Sequence, residues 1–154
     1  MPDFYGTAYA DPTSQLTPII DAAVGRGNVK AIVSHYAAAG TEVAADRIFI
    51  GKAPSHWRML PISEIRNDVV MAAAGTFDFG DTANPAALVS NAAGDSATTK
   101  PAMSAVDIAN MSKPLWEVLG YTEDPRKDLD LIITLDNNLN GAGDFLAVLL
   151  FSAP

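Results

Sequence analysis

The chain contains no cysteine, which excludes disulfides, thiolate catalysis and cysteine-based zinc sites. That absence fits folding in a reducing cytoplasm. Charge is scarce as well. Asp, Glu, Lys and Arg make up 18 % of the residues, and 18 acidic against 10 basic side chains leave a formal charge of −8. A ligand for free nucleic acid needs the opposite balance, because phosphate contacts come from Lys and Arg. No basic run occurs, so no direct nucleic-acid partner is expected. No stretch approaches the roughly eighteen consecutive apolar residues of a membrane span. The opening MPDFYGTAYADPTSQ lacks a positive segment followed by an apolar one, so neither a signal peptide nor a membrane partner is expected. Only two histidines are present, His35 and His56, too few and too far apart for a zinc site without cysteine.

What is present is apolar. At 154 residues and 49 % hydrophobic composition the chain can bury a core as one domain. Residues 1–18 are broken by Pro2, Pro12 and Pro18 and read as an extended N-terminal arm, with residues 19–154 forming the domain. Beyond the arm, short apolar runs alternate with loops rich in Gly, Asn, Asp, Ser and Pro. NVKAIVSHY reads as a strand with Val29, Ala31, Val33 and His35 on one side. DRIFIGK reads as a short strand stopped by Gly51 and Pro54. WRMLPISEI is extended, interrupted at Pro61. In GTFDFGD, Phe77 and Phe79 alternate with polar neighbours. LDLIITLD places Leu129, Leu131, Ile133 and Leu135 on one face, and GDFLAVLLFS is apolar on both, as a central strand would be. GDTANPAAL, NAAGDSATTKP and YTEDPRKD read as loops. Short helices are expected at SAVDIANM, capped by Ser104, and at TPIIDAAV. The predicted fold is mainly β: a single antiparallel β-sandwich, jelly-roll-like, with the arm and one or two short helices.

Several strings imitate functional motifs. DNNLNGAGD, Asp136 to Asp144, has the Asp136, Asn138, Asn140, Gly141 spacing of an EF-hand loop. The twelfth position is Ala147 rather than a bidentate Glu, and both flanks read as strands, so the stretch is expected to be a turn closing a hairpin, with no metal. Asp78-Phe79-Gly80 spells the kinase metal triplet, but the rest of that signature is missing. GRGN at 25–28 lacks the lysine of a phosphate loop, and no serine sits in a nucleophile elbow. The acid pairs Glu123-Asp124, Asp128 with Asp130, and Asp78 with Asp81 read as solvated loop charge rather than a glycosidase pair. Trp57 and Trp116 could stack a sugar, but the apolar residues after each favour packing. No catalytic constellation and no cofactor site emerges, and no enzyme activity is expected.

The order of these pieces carries a resemblance. A Phe-Tyr-Gly-Thr-Ala segment precedes a strand; ADRIFIGKAP ends in Gly-x-x-Pro; GTFDFGD and an NPAALVSNAAG stretch follow; Leu129 to Phe151 would close the chain as a hairpin. Together they resemble the small β-sandwich virion proteins of tailed bacteriophages. The resemblance implies a head decoration, or cement, protein on the capsid exterior, with the major capsid protein as partner and self-association as a homotrimer. A tail or head–tail connector component is the alternative within that class. A carbohydrate-binding module using Trp57 or Trp116 with the Asn140 loop is the alternative outside it. Phe4, Tyr5 and Tyr9, aromatic and outside any predicted strand, are the candidate docking residues of the arm.

Overall fold

The computed structural model describes residues 3–5, 29–68, 71, 75–94 and 97–153. Among the described residues, ten strands form two open sheets. The first contains β1 (Asp3–Tyr5), β3 (Arg47–Pro54), β9 (Asp128–Leu135), β6 (Thr76–Gly80) and β7 (Val89–Ala93), side by side in that order. The second runs β2 (Val29–Ala38), β10 (Gly143–Ser152), β5 (Glu64–Asn67), β8 (Thr98–Pro101), and β4 (Arg58–Met59) also pairs with β10. Every pairing is antiparallel except that of β1 with β3. The predicted mainly β sandwich is the observed fold.

Alternation explains the core. On β9, Leu129, Leu131, Ile133 and Leu135 are all buried, and on β10 so are Phe145, Ala147, Leu149 and Phe151. Successive strand residues point to opposite faces, so each set lines one inner surface. Phe77 of the first sheet meets Phe145 of the second edge to face, centroids 5.5 Å apart. Such a contact adds about 1 kcal/mol beyond the area both rings bury. The side of β2 carrying Val33 and His35 is the exposed one; Ile32, Ser34 and Ala38 are buried.

Several expectations need correction. β9 and β10 do not form a hairpin: β9 pairs with β3 and β6, β10 with β2, β4 and β5. Both strands are central and strongly apolar, so each satisfies its ladder in its own sheet while their buried faces contribute to one core. The Asn-rich stretch between them crosses from sheet to sheet. Gly51 does not stop β3; Ile50 and Gly51 together oppose Leu131 as a β-bulge, and the strand continues to Pro54. The predicted loop NAAGDSATTKP holds strand residues, the last three of β7 and all of β8. Both are short edge strands with few apolar residues, which weakens the period-two signal. SAVDIANM forms only a 3-10 turn at Ile108–Asn110, capped by Asp107 rather than Ser104. A single helical turn, α1 (Leu115–Val118), carries Trp116. TPIIDAAV, GRGN and the arm boundary at residue 18 lie outside the described residues.

Candidate functional site

The Asp136–Asp144 stretch is held by bonds that point in different directions. Thr76 donates its hydroxyl to the Asp136 carboxylate at 2.8 Å and its N–H to Asn137 Oδ1 at 3.2 Å. Burial and the nearby Asp78 charge raise the Asp136 pKa, against the lowering effect of the Thr76 bond. Asn138 Oδ1 accepts from the Ala44 N–H at 2.9 Å, and Leu139 N–H donates to the Glu42 carbonyl at 3.0 Å. At the far end Asp144 Oδ1 lies 2.7 Å from His35 Nε2 on the second sheet, and the Asp144 N–H donates to the Asp68 carboxylate. Asp136, Asn138 and Asp144 thus act on separate partners. Among the described residues, no group of three or more His, Asp or Glu is placed to hold a metal ion.

The neighbouring crossing, from β2 to β3, is built on Glu42. Its buried carboxylate accepts from the Tyr36 hydroxyl at 2.7 Å and from the N–H groups of Ala39, Gly40 and Thr41 at 2.9 Å each. Burial pushes its pKa up, but the bonds from Tyr36 and the backbone outweigh that and hold it below the usual range. Burial and the same carboxylate push the Tyr36 phenol well up. Gly40 adopts φ +82°, and a Cβ there would meet Gly141 C at 2.6 Å, so the two crossings touch backbone to backbone. Sequence reasoning passed over Glu42; an acid two residues after a glycine was its only signal.

The remaining acids also serve their own loops. Asp78 accepts from the Asn91 N–H at 2.8 Å where β7 bulges, with Asn91 at φ 50°. Asp81, buried, accepts from the N–H groups of Ala83 and Asn84 and from the Tyr121 hydroxyl. Asp124 is not simply solvated: Ser55 and the Arg126 N–H bond to it and lower its pKa. Asp130 lies 3.5 Å from Lys52. Asp78, Asp81, Asp124 and Asp130 are therefore distributed among separate partners. His56 is exposed. Trp57 packs on the core, its ring 5.9 Å from Phe151, and Trp116 packs there as well.

Two surface features remain. A shallow cleft of about 560 Å³ on the second sheet is lined by His35, Arg66, Asp68, Thr99, Asp144 and Leu146. Ile62 in a turn and Ile108 in the 3-10 turn stand 73 % and 85 % exposed. The candidate docking arm is partly placed: Phe4 and Tyr5 lie in β1, which contradicts the expectation that they fall outside any strand. Tyr9 lies outside the described residues. Among the described residues, no helix is long and apolar enough to cross a membrane.

Solved structures share this architecture. The chain superposes on a chain of the cyanophage Pam1 capsid asymmetric unit with a TM-score of 0.57 and 21 % identity, covering 94 % of this chain and 100 % of that one. It superposes on a chain of the capsid of Ralstonia phage GP4 with a TM-score of 0.61 and 13 % identity, covering 99 % of both. This fold occurs in phage capsids. The coverage runs both ways, so the likeness is between whole chains rather than a shared fragment. No protein-family model matches the chain, and no curated protein sequence does.

Proposed function

We propose that this chain is a structural protein of a tailed-phage virion, and within that class a head decoration protein seated on the outer capsid surface. The observation that carries the reading is the two-way coverage of chains found in two phage capsid structures. A match to a small, whole chain favours a separate capsid component over a segment of a larger shell subunit. The site geometry agrees, since the acids described above act as loop fasteners. Such a role requires a rigid body and repeated weak contacts rather than a catalytic centre. The charge of −8 suits an outer position and would oppose packing beside DNA. In this reading the major capsid protein is the partner, the protein acts as a homotrimer, and Phe4, Tyr5 and Tyr9 contribute to docking.

The test is co-sedimentation of purified protein with heads assembled from the major capsid protein of the same genome. Saturable binding at a fixed ratio to the capsid subunit supports decoration. Absence from heads together with recovery on purified tails would move the protein to the tail; recovery on neither would overturn the virion reading.

A further inference from the structure

Strand β1 is held to the body in an unusual way. It is the one parallel strand among those described, three residues long, in register Asp3↔Arg47, Phe4↔Ile48, Tyr5↔Phe49. It covers only the regular part of β3 and ends where the β3 bulge begins, between Phe49 and Gly51. Without it, Arg47–Phe49 would be a sheet edge carrying two buried apolar residues, Ile48 and Phe49. Two other edges have protection of their own. β7 is bulged with Asn91 at positive φ, and β8 carries Lys100 and Pro101. Bulges, lysine and proline all discourage strand addition, and the Arg47–Phe49 edge has β1 instead.

We infer that the β3 edge is a strand-addition site, and that its alternative occupant is the Asp3–Tyr5 segment of a second copy of this chain. Backbone pairing in the same register makes the same hydrogen bonds whichever copy supplies the strand. The choice between copies is therefore set by concentration and tether. Residues 6–28 separate Tyr5 from Val29, a contour of at most about 80 Å, enough to reach an adjacent body. A strand tethered by so long a segment competes with neighbours at local concentrations on the order of millimolar. Few bonds must break to release it, each worth about 1 kcal/mol net. The self-paired form therefore holds in dilute solution, and exchange takes over where copies crowd together. The inference does not depend on the capsid reading.

The absence of cysteine makes the test clean. Adjacent strands lie about 4.8 Å apart, inside the range a disulfide spans. Asp3→Cys and Arg47→Cys in one chain should close an intramolecular disulfide on mild oxidation in dilute solution. Full-length Asp3→Cys and Arg47→Cys single variants, separately tagged, are then mixed and oxidised from micromolar to millimolar concentration. Exchange predicts a tag-to-tag disulfide that rises at least tenfold over that range. It should also exceed the yield from Asp3→Cys mixed with Ser90→Cys, an exposed position on the β7 edge. Equal yields in the two mixtures would mean random collision and overturn the inference. So would intramolecular closure with no mixed product at any concentration, and failure of the double variant to close would remove the β1 register itself.

Discussion

Replacing Glu42 by alanine should cost this fold about 3 kcal/mol. The carboxylate accepts four hydrogen bonds, one from the Tyr36 hydroxyl and three from consecutive backbone N–H groups. A bond to a charged group contributes about 1.5–3 kcal/mol net. The four do not simply add, because water can reach part of the loop once the carboxylate is gone; the remaining loss is the buried phenol and the ordered turn. For a domain of this length that is a fall in Tm of roughly 6–12 °C. Glu42→Gln separates charge from shape. Oε1 accepts from Tyr36 and Ala39 while Oε2 accepts from Gly40 and Thr41, so an amide must turn its NH2 toward one pair of donors. It should therefore recover only part of the loss. The pH dependence follows from the depressed pKa. This contribution is complete above the unfolded pKa of about 4.3 and is lost as pH falls through the folded value. Urea unfolding of the three proteins between pH 7 and pH 2.5 measures both effects. The wild-type advantage over Glu42→Gln should shrink in acid. A cost below about 1 kcal/mol for alanine, or an advantage independent of pH, would refute the claim that Glu42 holds this crossing.

Gly80→Ala should destabilise by at least about 2 kcal/mol in denaturant unfolding, because the new Cβ would meet the Asn84 carbonyl oxygen at 2.1 Å and the Pro85 carbonyl oxygen at 2.6 Å. The Tyr121 phenol, bonded to Asp81 and partly buried, is pushed up to about 12. Its bond supports the fold below the unfolded pKa near 10 and is lost as pH rises through the folded value; in absorbance titration the wild type should show one more late-titrating tyrosine than Tyr121→Phe, which keeps the late-titrating Tyr36, and Asp81→Asn should return that extra group toward 10. Millimolar calcium should leave Tm within about 1 °C, since saturation of even a weak site raises stability measurably; a larger rise would restore the metal reading of Asp136–Asp144.

The sequence by itself determined where most strands lie and which of their residues point inward. Alternation is a local property, so Leu129, Leu131, Ile133 and Leu135 could be assigned to one face without knowledge of any partner. The core positions of Phe77 and Phe79 were legible for the same reason. Shortness concealed β7 and β8, whose few apolar residues are positioned by the ladders of β6 and β5. Which strands pair was decided only by the tertiary structure. A strand pattern states which side is apolar and nothing about who accepts its hydrogen bonds, so β9 and β10, adjacent in the chain, end in opposite sheets. The same holds for the carboxylates. Glu42, Asp81 and Asp144 look alike as isolated acids, and each gained its role when the fold delivered a hydroxyl, a backbone N–H or an imidazole from elsewhere. The pairing of β1 with β3 belongs with them, because it joins residues more than forty positions apart that no local pattern connects.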